Sequence, residues 1–228
     1  MALTMYYTHD HPVFGLWRNP NTVKRHFTKS FDVLYESNSY GARDMERDRK
    51  SDQPRVIVLG DSFTEGHGLH PEDRITNLLE DRSRIPDLNF GIADSGTTEQ
   101  LLVYRHLARD FDHAYVMLNF CSFNDFLDND YIEGVKRSPE RVRPFFVGEY
   151  PDYELVYYPA SKVRELGALA RELGFTYINI LSDLHEAGGY LEKHYHAYDI
   201  HWNAEGNELV ADILLRRLPY MSQVTSLP

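Results

Sequence analysis

The chain has 228 residues, enough for one α/β domain with a full hydrophobic core. Hydrophobic residues make up 42% of it and charged residues 26%, which is typical of a globular protein. The formal net charge of −11 argues against a nucleic-acid binder, because phosphate binding needs clustered Lys and Arg.

The sequence also lacks the features of disulfide-linked, zinc-binding, membrane-spanning and secreted proteins. Cys121 is the only cysteine, so neither an internal disulfide nor a Cys-based zinc site is expected. No stretch approaches the ~20 apolar residues of a membrane span. Residues 1–20 lack the apolar core of a signal peptide. We therefore expect a cytoplasmic protein, whose oligomeric state the sequence leaves open.

Residues 1–53 are predicted to be a lead-in strand or hairpin that packs on the main domain. Phe27, Phe31, Val33 and Tyr35 alternate with polar residues, as in a half-buried hairpin. The mixed-sign run at 43–50 is expected to be a solvated connector. Residues 54–228 are then expected to form a single domain.

From residue 54 onward, short apolar runs alternate with amphipathic stretches. The predicted strands are 56–59, 88–90, 114–120, 154–158 and 175–180, and the predicted helices are 73–82, 98–109, 162–173 and 204–218. Ser161 and Asn203 are predicted N-caps, and Gly174 ends the third helix. This alternation predicts repeated βαβ units, hence a three-layer α/β/α sandwich with a mostly parallel central sheet.

The chemistry is expected at one edge of this sheet, because ligands of parallel sheets bind beyond the carboxyl ends of the strands. The sequence places Ser62 there, then a glycine-containing turn at 91–97, Asn124, and the pair Asp199 and His201. Acyl transfer uses such parts: a serine nucleophile, a histidine base and a carboxylate that orients the histidine. Backbone N–H groups at the Ser62 turn and the Asn124 amide are candidate oxyanion donors.

These four blocks, in this order, resemble those of the SGNH (GDSL-like) serine hydrolase superfamily. They are Gly60-Asp61-Ser62, the turn from Asn89 to Thr97, Asn124-Asp125 and Asp199-Ile200-His201-Trp202-Asn203. Residues 38–44 and the last block are similar to one bacterial branch, and the resemblance spans residues 35–215. It implies a flavodoxin-like SGNH fold and no metal or organic cofactor. It also implies Ser62 as nucleophile, His201 as base, Asp199 as orienting acid, and Asn124 with the Ser62 amide as oxyanion donors.

The second block departs from the family pattern. An ungapped alignment places Asp94 where the family has its oxyanion glycine, and a shift of one or two residues gives that position to Gly96. A backbone N–H survives at Asp94, but a carboxylate beside a developing oxyanion opposes its charge. Both assignments stay open at this point.

The resemblance implies hydrolysis of small carboxylic esters, such as O-acetyl groups on a carbohydrate or a metabolite. The alternatives are an O-acyltransferase with the same residues and a degenerate SGNH domain that only binds a glycan or acyl ligand. A metal site built from His194 and His196 with Asp199 and His201 is a weaker reading of the same segment. His67 and His70 are expected at the surface or the pocket rim, and Asp61 is expected to hydrogen-bond within its own turn.

Overall fold

The computed structural model describes residues 6–121, 160–189 and 192–219. The lead-in forms two antiparallel hairpins, β1 (Thr8–His11) with β2 (Gly15–Arg18) and β3 (Val23–Phe27) with β4 (Asp32–Glu36). In β4, Val33 and Tyr35 are buried while the residues on either side of them are exposed, as the alternation predicts.

The central sheet consists, in the described part of the chain, of three parallel strands. They are β5 (Val56–Leu59), β6 (Asp87–Asn89) and β7 (Tyr115–Leu118), in the spatial order β6-β5-β7. All four residues of β5 are buried, as expected for a continuous apolar run between two neighbouring strands. The first three strand predictions are confirmed, with boundaries that differ by one or two residues.

Six α-helices accompany these strands in the described residues. They are α1 (Ser62–Glu65), α2 (Ile75–Ser83), α3 (Thr97–His106), α4 (Ala160–Glu172), α5 (Leu181–Glu186) and α6 (Ala204–Arg217). The Asn203 side chain caps α6 by accepting from the Gly206 N–H, and Gly174 follows α4 with a φ of 79°, as predicted. Within this part of the chain, no helix has the length and apolar character needed to cross a membrane.

The helices form layers on both faces of the sheet. Val56 and Val58 pack into a core with α2 and α6, whereas Ile57 and Leu59 pack into a second core with α3 and with Trp17 of β2. The predicted three-layer α/β/α arrangement with a parallel sheet is therefore confirmed. The lead-in contributes to the second core directly, because the Trp17 side chain is only 3% exposed.

Two predictions about the C-terminal half are wrong. Residues 175–180 form no strand: Phe175 is 65% exposed, and only Ile178 and Ile180 contact the core. Alternation of apolar residues indicates which side chains are buried, but a strand also needs a neighbouring strand with which its backbone forms hydrogen bonds. Helix α4 begins at Ala160, so Ser161 lies inside it and is not its N-cap. The predicted strand at 154–158 lies outside the described residues.

The charged run at 43–50 is only in part the solvated connector that its composition predicts, since residues 45, 46 and 48–50 are exposed but Arg43 is not. The Arg43 side chain is buried and donates to the carbonyl oxygens of Glu65, Gly66 and Leu69. Arg47 forms ion pairs with Asp44 and Glu80. Except for Asp44, these partners come from distant parts of the chain, and together they replace the water that a charged side chain otherwise requires.

Candidate active site

The turn after the central strand presents Ser62 at the carboxyl edge of the sheet. A Cβ at Gly60 would overlap the Thr64 side chain, so this close approach requires glycine. The Asp61 side chain accepts a hydrogen bond from the Phe63 N–H (2.9 Å), the local role expected for it. Helix α1 therefore begins at Ser62, which is half-buried.

The segment before α6 folds back on itself and brings Asp199 beside His201. The His196 N–H donates to the His201 carbonyl (3.0 Å), and Tyr198 takes a left-handed φ of 62° in the intervening turn. Asp199 Oδ1 then accepts from the backbone N–H of His201 (2.9 Å). This side-chain-to-backbone turn explains how a spacing of two residues suffices for the pair.

Ser62, His201 and Asp199 form a continuous line of hydrogen bonds. His201 Nε2 lies 2.7 Å from Ser62 Oγ, and His201 Nδ1 lies 2.5 Å from Asp199 Oδ1. Partial burial raises the pKa of the Asp199 carboxyl, but hydrogen bonds from the backbone and side chain of His201 outweigh it and hold the pKa below its usual value. The ionised carboxylate fixes the imidazole orientation in which Nε2 can take the Ser62 proton.

His67 belongs to this cluster, although the sequence placed it at the surface or rim. Its Nε2 lies 3.3 Å from Asp199 Oδ2, and its ring stacks on His201 with centroids 4.0 Å apart. Burial and the neighbouring His201 lower the pKa of His67 to about 4. The signal that could have located it is Gly66, whose left-handed turn (φ 85°) returns the chain to Ser62. His70, by contrast, is exposed.

The second block packs against the turn that carries Ser62. The Ile92 N–H donates to the Gly60 carbonyl (3.0 Å), and the Ala93 N–H donates to Glu65 (2.9 Å). Asp94 follows with a left-handed φ of 59° and an exposed side chain. The Gly96 N–H donates to the Glu99 carboxylate (3.1 Å) as part of the cap of α3. Asn124, the remaining predicted oxyanion donor, lies outside the described residues.

The histidine pair considered for a metal is not arranged as a site. His194 is buried in a 3-10 turn (Glu192–His194), and His196 Nε2 lies 3.2 Å from the carbonyl of His67. In the described part of the chain, the donors close enough to share a metal are those of His67, Asp199 and His201, within 4.8 Å of one another. Both ring nitrogens of His201 are already engaged by Ser62 and Asp199.

Comparison with solved structures gives the class of fold. A member of the lipolytic protein G-D-S-L family from Veillonella parvula DSM 2008 superposes with a TM-score of 0.53 at 18% identity, over 76% of this chain and 99% of that one. A putative lipolytic protein of the G-D-S-L family from Desulfitobacterium hafniense DCB-2 gives 0.51 at 20% identity, over 73% and 100%. A structure of TesA gives 0.51 at 17%, over 73% and 99%.

These likenesses establish that the chain has the α/β fold of the G-D-S-L lipolytic proteins. They agree with the fold that the four sequence blocks implied, and the first block reads Gly60-Asp61-Ser62-Phe63 in this chain. No protein-family model matches the chain, and no curated protein matches it in sequence.

Proposed function

We propose that the chain hydrolyses small carboxylic esters through Ser62, His201 and Asp199. The observation that carries the proposal is the unbroken hydrogen-bonded line from Ser62 Oγ through the His201 ring to Asp199 Oδ1. A serine hydroxyl is a weak nucleophile unless a base lies within hydrogen-bond reach, and this geometry supplies that base. The fold, shared with proteins described as lipolytic, is consistent with the same chemistry.

In the acylation step, Ser62 Oγ attacks the ester carbonyl carbon while His201 Nε2 takes the hydroxyl proton. The carbonyl electron pair moves onto oxygen, giving a tetrahedral oxyanion. When the oxyanion collapses, the bond to the alcohol oxygen breaks and His201 returns the proton to that oxygen. The alcohol leaves, and the acyl group stays on Ser62 as an ester.

In the deacylation step, a water molecule takes the place of the alcohol. His201 removes one proton from the water as its oxygen attacks the acyl carbon. The second tetrahedral intermediate collapses with cleavage of the bond to Ser62 Oγ, which recovers the proton from His201. The products are the carboxylic acid and the free enzyme, so neither a redox partner nor a cofactor is consumed.

For the oxyanion, we propose the backbone N–H groups of Ser62 and Asp94, together with the Asn124 side chain. Asp94 is preferred over Gly96 because the Gly96 N–H already donates to Glu99. The left-handed backbone of Asp94 is also the conformation that glycine adopts most readily, which supports its alignment with the family's glycine.

The same residues would serve an O-acyltransferase, in which an acceptor alcohol takes the place of the water in the deacylation step. Adding sugar acceptors and measuring the ratio of free acid to new ester separates transfer from hydrolysis. A binding-only domain has no need of a base against Ser62 Oγ, so the 2.7 Å contact favours an enzyme. O-acetyl groups on a carbohydrate or metabolite remain the proposed substrate class.

The proposal is tested by hydrolysis of para-nitrophenyl acetate. Ser62→Ala is expected to lower kcat by ~10⁴-fold or more, since Ser62 Oγ is the nucleophile that meets His201 Nε2 in the described part of the chain. Ser39→Ala, at an exposed position in the lead-in, is the matched control and should leave kcat unchanged. Full activity in Ser62→Ala would overturn the proposal.

A further inference from the structure

The turn that presents Ser62 also fixes the position of His67. The backbone N–H of His67 donates to the carbonyl of Ser62 (3.0 Å), directly after the left-handed turn at Gly66. The nucleophile and the second histidine are thus held by one short piece of chain. Movement of the His67 side chain relative to Ser62 is limited to its own two side-chain torsions.

The two oxygens of Asp199 face two different histidines. Oδ1 accepts from the backbone N–H and the Nδ1 of His201, at 2.9 and 2.5 Å. Oδ2 lies 3.3 Å from His67 Nε2. Since Asp199 is only partly buried, packing alone leaves its carboxylate some freedom to rotate. A hydrogen-bond donor at the second oxygen would restrict that rotation, and His67 Nε2 is the group placed to act as one.

The His201 ring is likewise contacted by His67. The two rings stack with centroids 4.0 Å apart and an interplanar angle of 20°, while Phe63 contacts the same imidazole at 4.8 Å. The stack and the carboxylate contact act on His201 and Asp199, which must stay aligned while His201 takes and returns the Ser62 proton.

We propose that His67 is a positioning residue of the Ser62–His201–Asp199 triad, which holds the Asp199 carboxylate by its second oxygen and supports the His201 ring by stacking. This inference rests on the proposed function. It goes beyond the four sequence blocks, since none of them contains His67.

The environment of His67 favours an uncharged side chain, which can position Asp199 and His201 without adding a charge to the site. His26 and Phe31, from β3 and the loop before β4, meet its ring edge-on at 5.1 and 5.3 Å. The ionisable groups that act on it are His201, Asp199, His26 and Glu65, and burial is the largest influence, lowering its pKa to about 4. At neutral pH His67 is uncharged, so it does not repel the imidazolium that forms on His201 during the reaction.

Three substitutions of His67 separate the effect of its hydrogen-bond donor from the effect of its side-chain volume. The amide nitrogen of His67→Gln reaches about as far as Nε2, whereas that of His67→Asn falls short, and His67→Leu keeps volume without any donor. We expect kcat for para-nitrophenyl acetate to fall ~10- to 100-fold in the Asn and Leu variants, with KM nearly unchanged, because a small misplacement of catalytic groups costs about this much. The Gln variant keeps the donor but loses the ring stack, so its kcat should fall clearly less than that of the Asn and Leu variants. Exposed His70→Leu is the control.

A readout independent of turnover is the proton on His201 Nδ1, observed by NMR as a downfield, exchange-protected signal. We expect it to persist in wild type and His67→Gln and to lose protection in His67→Asn. If His67→Leu fails to fold, the Gln and Asn pair decides alone. Equal kcat and equal proton signals in the Gln and Asn variants would overturn the inference. Absence of esterase activity in the wild type would overturn the proposed function instead, and the NMR comparison would still decide the role of His67.

Discussion

Asp199 organises the site at the scale of single residues, because its two oxygens meet three groups from two histidines. In Asp199→Asn, an amide nitrogen facing Nδ1 would favour the wrong tautomer of His201. By comparison with the same change in other serine hydrolases, kcat is expected to fall by ~10³- to 10⁴-fold. Steady-state kinetics on para-nitrophenyl acetate measures this, with Asp183→Asn, which pairs only with Arg217, as the control. A loss under tenfold would show that Asp199 does not orient the base.

Removal of the Asp94 charge tests whether the backbone N–H of this residue faces the oxyanion. If its N–H faces the oxyanion, its carboxylate brings an unfavourable charge to the same place. Asp94→Asn keeps the amide and removes the charge, so kcat should rise by about two- to fivefold, a small effect because the exposed carboxylate is screened by water. If the charge is the cause, the rise should be larger at low ionic strength, where screening is weaker. A fall in kcat would contradict the assignment.

The sequence located Ser62 because it follows β5 at the sheet edge, whereas Asp199 and His201 were located by the resemblance of residues 199–203 to the family's last block, since residues 175–180 form no strand. His67 could not be located in this way. Its contact with Asp199 depends on how the turn at Gly66 and the segment at 194–203 meet in space, and neither periodicity nor spacing describes that meeting. The choice between Asp94 and Gly96 likewise needed the observation that the Gly96 N–H is already paired.

At the scale of elements, a buried ion pair joins the lead-in to α1, the helix that begins at Ser62. Arg18 of β2 is fully buried and lies 2.9 Å from Glu65 of α1, and it also donates to the carbonyls of Gly41 and Gly91. The other Glu65 oxygen accepts from Ala93, next to the proposed oxyanion residue. The first hairpin is therefore joined to both loops that form the site.

Breaking this pair should be costly. Arg18→Met leaves Glu65 buried without its partner, and removal of one member of a buried pair costs ~3–5 kcal/mol in free energy of unfolding. Arg25→Met removes the corresponding partner from an exposed pair with Asp32 and should cost far less, because water screens that pair. Urea denaturation of both variants measures the difference. Equal losses would show that the link between β2 and α1 carries little stability.

The elements themselves were predictable to different degrees. Strand β5 was certain from four consecutive apolar residues, and the end of α4 from Gly174. Residues 175–180 carry the residue types of a strand but form none in the structure. Within the charged run at 43–50, Arg43 is buried because carbonyls more than twenty residues away accept its hydrogen bonds. Both errors have one physical reason: long-range partners are absent from a local pattern.

At the scale of the whole molecule, buried histidines make stability depend on pH. The pKa of His67 is lowered to about 4, chiefly by burial, and burial also lowers those of His26 and His196. An unfolded histidine titrates near ~6.5. Between these values the unfolded chain binds protons that the folded chain does not, so stability present above about pH 6.5 is lost as the pH falls toward 4.

We therefore expect the Tm to fall between pH 7 and pH 4.5, and to fall less steeply in His67→Gln. The difference between the two slopes of Tm against pH gives the contribution of His67, because both proteins share buried carboxyls such as Asp87. Burial raises the pKa of Asp87 well above its usual value. Thermal melts of both proteins across this range, with exposed His70→Gln as the control, provide the test. Parallel slopes would show that His67 takes up its proton equally well in both states.

The most direct test of the account is whether Ser62 is the nucleophile. A fluorophosphonate reacts with a serine that a base activates, so brief treatment followed by peptide mass spectrometry should find one adduct, on the peptide containing Ser62. The adduct should be absent in Ser62→Ala and form far more slowly in His201→Gln. An unmodified wild-type protein, or an adduct at another residue, would contradict the assignment of Ser62 and His201 as nucleophile and base.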